Sequence, residues 1–292
     1  MDLTRDEQRP ARTRRGPGPW ARFLRHRLAC GGAAFLGVII LAALLAPWVG
    51  RHDPFHTELE RLNQAPGAVH WLGTDLIGRD VWSRVIHGSR TSLTVGILAV
   101  ALSTLIGSLL GALAGYSGGP VDQAVMRATE VMMSIPVLLM VMLFVSLLGP
   151  SLASVTLVIG LLGWSSTCRV VRGEVLVLRE KEFIVAARSL GNGHARVILR
   201  HILPNTVGPL SVIATFGFAN AILLEAALSF LGLGVPPPTP SWGGMLNEAQ
   251  SPTVLAGMPW LWMAPGAAIA LTVLAVNFIG DGLRDSADVR SL

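Results

Sequence analysis

Six stretches of the chain are almost free of charge: Leu28–Val49, Ser92–Tyr116, Val125–Leu148, Leu152–Val171, Val207–Leu233 and Met258–Ile279. About 20 apolar residues in helical conformation cross the hydrocarbon core of a bilayer. The pattern therefore predicts an all-α membrane protein, a bundle of six transmembrane helices. The fourth stretch is the least apolar, because it contains Trp164, Ser165, Ser166 and Thr167. In the third, Pro136 predicts a kink. In the second, Gly107, Gly111 and Gly115 recur every four residues, and small residues on one face let helix backbones approach closely. The first stretch is longer than the apolar core of about 7–15 residues in a signal peptide, which predicts an uncleaved spanning helix.

Between the fourth and fifth stretches the pattern changes. Residues 186–205 read AARSLGNGHARVILRHILPN, with Arg188, Arg196, Arg200, His194 and His201. Phe183, Ala186, Ala187 and Leu190 fall at i, i+3, i+4 and i+7, one stripe of a helix. Gly191-Asn192-Gly193 supplies residues that tolerate the left-handed backbone of a helix end. Ala195, Ile198, Leu199 and Ile202 then repeat the spacing, and Pro204 marks the start of the fifth stretch. Two short amphipathic helices meeting at about a right angle or more sharply are expected. The spacing alone accommodates a helix pair on the lipid surface, a solvated charged loop, or a docking knob for a cytoplasmic partner.

Composition agrees with a membrane location and adds an orientation. Mean hydropathy is +0.56 and only 14% of residues are charged, against about 25% in soluble domains. The net charge of +5 is not gathered on one basic face, as nucleic-acid binding would require; it is divided among the polar connections. With an even number of spans both termini share one side. That side holds 18 of the 23 Lys and Arg residues, eight of them in the segment 1–27, and the other side holds Arg51, Arg61, Arg79, Arg84 and Arg90. The positive-inside rule puts the side with 18, including both termini and the basic interlude, in the cytoplasm. On the outer side, Ile77, Val81 and Val85 lie at helical spacing within Asp75–Ile86, which predicts a helix along the membrane surface. Cys30 and Cys168 are the only cysteines; they make no disulfide or zinc framework, and no metal site is expected.

The interlude resembles the cytoplasmic signature loop of ABC-transporter permeases: Glu-Ala-Ala, three residues, Gly, nine residues, then Ile-x-Leu-Pro. Ala186, Ala187, Gly191, Leu203 and Pro204 are in register. Val185 stands where the family often has Glu, and His201 where it has Ile. LGTDLIGRDVWSRVIHGSRTSL (Leu72–Leu93) and ALSFLGLGVPPPTPSWGGML (Ala227–Leu246) are similar to two further signatures of C-type permeases of the dipeptide/oligopeptide/nickel importers.

The resemblance implies an ABC type I importer permease fold in four parts. They are a cytoplasmic basic segment 1–27, a first transmembrane helix with its extracytoplasmic loop 28–91, a permease core 92–283 containing the coupling loop 174–204, and a cytoplasmic tail 284–292. It implies residence in the bacterial inner membrane, a heterodimer with a B-type permease subunit, two cytoplasmic ATP-binding subunits, and an extracytoplasmic substrate-binding protein. The implied cargo is di- or oligopeptides, with nickel or another small solute as the alternative. Phe183, Ala186, Ala187, Gly191, Leu203 and Pro204 would couple the chain to the ATPases. There is no G-x-x-x-x-G-K-[ST], and the single lysine, Lys181, is followed by Glu182, so no P-loop can form. ATP and Mg are expected on the partner subunits, with no cofactor on this chain and no catalytic residue.

Glu225 is the costliest residue in the sequence, since a charged group near mid-membrane costs about 2.5–3.5 kcal/mol on insertion scales. It either pairs within the bundle or faces the pathway, and Asn220 and Asn277 are its candidate neighbours. Arg127 and Glu130, three apart, suit a helix pair. Trp242, Trp260 and Trp262 are expected in an outer aromatic belt. Gly115-Tyr116-Ser117-Gly118-Gly119 matches G-x-S-x-G, the motif of a serine hydrolase, but that motif needs a strand–turn–helix context and a histidine base. All seven histidines lie outside the spans, so the hydrolase reading is remote.

Overall fold

In a computed structural model of the chain, residues 22–287 are described. Most of the basic segment expected at 1–27 and the end of the tail expected at 284–292 lie outside them. The elements used below are α1 (Arg27–Leu44), α2 (Val81–Ser117), α3 (Gly119–Ser134), α4 (Val137–Leu148), α5 (Leu152–Leu162), α6 (Trp164–Leu178), α7 (Glu182–Ser189), α8 (His194–Val197), α9 (Val207–Phe230), α10 (Trp242–Glu248), α11 (Pro252–Gly257) and α12 (Pro259–Ala287). Among the described residues, five helices, with α5 and α6 counted as one, are long and apolar enough to cross a membrane, and six if α3 and α4 count as one bent span.

The third apolar stretch is thus not a simple kinked helix. α3 and α4 meet at 89°, because the proline ring disfavours helical backbone in the residue before it. Ile135 is extended (φ −104°, ψ 133°), and so is Pro136 (φ −56°, ψ 118°). Two successive residues leave the helix, and the chain changes direction.

α2 begins eleven residues before the apolar stretch that announced it. Asp80 caps it, its side chain accepting from Ser83 N at 2.8 Å. At 1.5 Å per residue, 37 residues run about 55 Å, well beyond the ~30 Å hydrocarbon core. Its first turns are therefore wrapped by the 50–80 loop. The surface helix expected over Asp75–Ile86 forms only from Val81 onward, as the buried start of α2. Residues 74–80 make a turn closed by a Thr74–Asp80 bridge, and Val81 and Ile86 are buried.

α2 and α6 form the tightest seam of the bundle. Gly107, Gly111 and Gly115 face α6, and Cβ atoms built there would lie 2.5–2.9 Å from Cys168 O, Thr167 Cβ, Arg172 O and Val175 Cβ. Near the Tyr116 end of this seam, Arg172 holds Asp122 of α3 in a two-pronged pair, Nε to Oδ1 at 2.7 Å and Nη2 to Oδ2 at 2.6 Å. Arg179 Nη1 donates to Gly115 O at 3.0 Å. α1 packs on α12, where Gly32 meets Ala275 and Gly282 meets Ala29.

At the Val81 end, four of the five arginines expected on the outer side, Arg51, Arg61, Arg79 and Arg84, have structural partners. Arg79 and Arg84 bind Glu248 of α10 and Asp75. Arg61 pairs with Glu58, and Arg51 stacks 4.5 Å above Trp71. Trp242 does not join an aromatic belt: it is fully buried, with Nε1 donating to Val85 O at 3.1 Å.

Candidate functional site

The bend between α3 and α4 faces a cavity of about 740 Å³. Its walls come from α2 (Val100, Ser103), the bend itself (Met132–Leu138), the α5–α6 junction (Gly163, Ser165, Ser166) and α9 (Asn220, Leu224). The cavity is mostly apolar, with Met132, Met133 and Met140 offering adaptable side chains. The hydroxyls of Ser103, Ser134, Ser165 and Ser166 and the Asn220 amide give it scattered polar contacts. Such a volume and lining fall within the range of small-ligand sites, about 300–1,000 Å³. α3 and α4 bury only Thr129, Val141 and Val145, while Leu139, Leu143, Phe144 and Leu147 are exposed. The wall they form has protein on one side only.

Glu225 does not reach this cavity. It is fully buried and stands five residues from Asn220, about 140° around the helix. Its Oε2 accepts from Ser92 of α2 and its Oε1 from Ser229, both at 2.8 Å. Ser241 Oγ donates to Ser229 at 3.4 Å, and Trp242 N donates to Ser92 Oγ at 3.3 Å. The carboxylate thus pins α2, α9 and α10 together, and among the described residues no basic side chain pairs with it. Asn277 is half-buried on α12 and lines no part of the cavity. Of the three candidate pathway residues, only Asn220 is on the cavity wall.

This geometry makes a graded expectation for Glu225. In Glu225→Gln one serine can donate to the amide oxygen while the other accepts from the amide nitrogen, so yield and uptake stay close to wild type. Glu225→Leu orphans both hydroxyls, at about 1–3 kcal/mol each, and thermal unfolding in detergent shifts down. Loss of uptake in a well-folded Glu225→Gln would instead put the carboxylate in the transport step.

The interlude forms as two helical pieces, with one difference. α7 ends at Gly191 (φ +79°), and the Asn192 side chain donates to Ala187 O at 2.9 Å. The second piece is not separate: from His194 the helix runs continuously to Phe230. Pro204 lies within it, because a π turn at Ile198–Ile202 and a 3₁₀ turn at Leu203–Thr206 absorb the missing N–H. Asn205 Nδ2 fills part of that gap by donating to His201 O at 2.6 Å.

The predicted apolar stripe is split between two faces. Ile184 points inward and packs, with Val197 and Ile202, against Ala112, Val171 and Val175, and Ala187 is also buried. Phe183, Ala186 and Leu190 point outward, with Leu190 82% exposed. Leu203 is half-buried; Pro204 and Gly191 are exposed. The knob is therefore seated on α2, α6 and the start of the long helix. Tyr116 at the end of α2 seals its edge, with its OH 3.2 Å from His194 Nδ1 and Arg188 over its ring. Ser117 of the G-x-S-x-G match has no histidine base: His194 meets Tyr116 instead. Arg127 and Glu130 form the expected pair, at 2.9 Å and exposed.

Long helices around a lateral cavity, with an anchored knob at one end and a salt-bridged cap at the other, define a multi-span membrane transport subunit. The comparisons agree. Residues 107–290 match the family described as binding-protein-dependent transport system inner membrane component, and residues 19–66 match the N-terminal TM domain of oligopeptide transport permease C. The chain belongs to the binding-protein-dependent inner membrane component family, and it is an ABC importer permease of the dipeptide/oligopeptide type. It is 46% identical over 278 residues to a protein named as a peptide permease in Brucella suis, covering 94% of this chain and 92% of that one. It is 42% identical over 270 residues to the glutathione transport system permease protein GsiD of Escherichia coli, covering 92% and 88%. In fold it is similar to a chain of the inward-facing MetNI methionine ABC transporter, with a TM-score of 0.56 at 16% identity over 70% of this chain and 96% of that one.

Proposed function

We propose that the chain forms one half of the membrane pathway for peptides in an ATP-driven importer. A B-type permease would complete the cavity against the one-sided wall of α3 and α4. Two ATP-binding subunits would dock below the permease pair, one of them on the knob around α7, and an external binding protein would deliver cargo to the cap at the Val81 end. Nucleotide and Mg would be bound by those ATPase subunits, and both termini would lie in the cytoplasm, as the distribution of 18 and 5 basic residues favours. Peptides are supported by the names of the relatives and by a cavity that combines methionines with dispersed hydroxyls.

The observation that carries the reading is the two-faced knob. Ile184 fixes it to α2, α6 and the start of the long helix, while Phe183 and Leu190 remain exposed. A partner that pushes on the outer face moves the bundle beneath it, since packed helices shift as units rather than deform continuously. Leu190→Asp tests this without touching the core. Permease yield and thermal stability stay at wild type, while ATPase co-purification and uptake of labelled peptide each fall at least about tenfold. Wild-type uptake by this variant removes the coupling role. Running the uptake assay with dipeptides, longer peptides and nickel separates the cargo classes.

A further inference from the structure

The cap at the Val81 end contains a cluster that the transport reading does not use. His52 follows the first helix, His70 lies within the outer loop, and Asp80 is the N-cap of α2. Each offers one donor atom, and these atoms lie within 4.8 Å of one another. His70 and Asp80 are almost completely buried, with side-chain exposures of 3% and 2%, while His52 is 30% exposed. Asp80 divides its work: Oδ1 accepts from Ser83 N at 2.8 Å, and Oδ2 faces both imidazoles, 2.8 Å from His70 Nδ1 and 3.7 Å from His52 Nδ1. His52 Nδ1 is buried and has no hydrogen-bond partner. The residue cannot easily turn it elsewhere, because its backbone N–H is held by Ser83 Oγ at 3.2 Å and its ring lies against His70, centroid to centroid 4.7 Å. An orphaned buried ring nitrogen beside a carboxylate and a second imidazole calls for an explanation.

We propose that His52, His70 and Asp80 bind a divalent first-row transition ion, with zinc the best match. Two imidazoles and a carboxylate are ligands suited to zinc. Three protein ligands leave a fourth position, which the half-exposed side of His52 opens to water. On binding, the ion replaces the proton shared between His70 Nδ1 and Asp80 Oδ2. That proton leaves Nδ1 for solvent while Nε2 takes one up, so His70 stays a neutral imidazole in its other tautomer and no net proton is released. Arg61, whose Nη1 lies 3.4 Å from that Nε2, then gives way toward Glu58, which its Nε already meets at 3.2 Å. The ion would staple three separate segments and tie the outer loop to the head of α2. It would act on the cap, not on the cargo.

The test uses the full chain, purified in detergent with a tag free of histidine, stripped with a chelator and dialysed against zinc. The expected result is one zinc per chain by elemental analysis, and visible d–d bands of tetrahedral cobalt when Co²⁺ replaces it. His52→Ala weakens binding by about 100-fold or more, the upper end of what even a supporting residue of a metal site costs, with the metal-free melting temperature unchanged. His70→Asn, which still donates to Asp80, loses binding too, whereas His56→Ala on the exposed part of the same loop does not. Absence of a stoichiometric site, or equal affinity in His52→Ala, overturns the proposal. So does a loss in His56→Ala as large as in His52→Ala.

Discussion

Leucine in place of Gly111 is expected to leave no assembled bundle: the variant inserts but fails to elute as a monodisperse species in detergent. The reason is what the side chain would meet. A Cβ at Gly111 would lie 2.5 Å from Cys168 O and 3.0 Å from Val171 Cβ, with Arg172 N at 3.1 Å. Two of these three atoms are backbone of α6, which cannot rotate aside. Overpacking of a core by a few methylenes costs about 1–3 kcal/mol when side chains can adjust. Here α2 and α6 must separate along their length, and that opens the contacts at Gly107 and Gly115 as well. Gly111→Ala should already lower thermal stability measurably. Gly31→Leu is the control: on α1 nothing lies within 4 Å of a Cβ built there, so its yield should match wild type. A Gly111→Leu protein with wild-type yield and melting would mean that the seam is not close-packed.

That seam was readable in the sequence because a four-residue glycine repeat has one structural meaning on a membrane helix. The six apolar runs were equally readable. What stayed hidden has physical reasons. The 89° turn at Ile135-Pro136 sits inside an unbroken apolar run, and hydropathy is blind to direction. The early start of α2 was masked by Arg84, Ser89, Arg90 and Thr91, polar residues that suggested a loop. Arg84, Ser89 and Thr91 are buried rather than exposed in a connection. The inward face of α7 could not be chosen from spacing, because Phe183, Ile184, Val185, Ala186 and Ala187 are all apolar. Only the packing against Ala112 and Val175 selects Ile184. The partners of Glu225 are serines 133 residues away and one turn away, and nothing in the spacing distinguishes them from the amides Asn220 and Asn277. The His52–His70–Asp80 cluster is hidden for the same reason: its three residues lie at positions that only the folded loop brings together.

Glu248→Ala is expected to unfasten the cap at the Val81 end. Two carboxylates, Asp75 and Glu248, balance two guanidiniums, Arg79 and Arg84. Arg79 gives Nε to Asp75 at 2.6 Å and Nη2 to Glu248 at 2.7 Å. Arg84 gives Nη2 to both Glu248 oxygens, at 2.9 and 3.0 Å. Its other tie is a 3.6 Å approach of Nε to Asp75. Arg84 is 2% exposed, and its Nε and Nη1 have no hydrogen bond. Removing Glu248 therefore strips a buried cation of its hydrogen-bonded partner, a class of change that costs about 3–5 kcal/mol. Glu248 is itself 32% exposed, so water reaches the Arg79 side and the loss should fall near the lower end. Thermal unfolding of the detergent-solubilised chain measures it. Charge balance gives the second half of the experiment. Arg79→Ala combined with Glu248→Ala leaves Asp75 opposite Arg84, one against one, and the double variant should be more stable than the sum of the two single losses. Strict additivity would mean that the four groups do not act as one unit; a positive coupling identifies the network as the clamp that holds α10 and the 50–80 loop against α2.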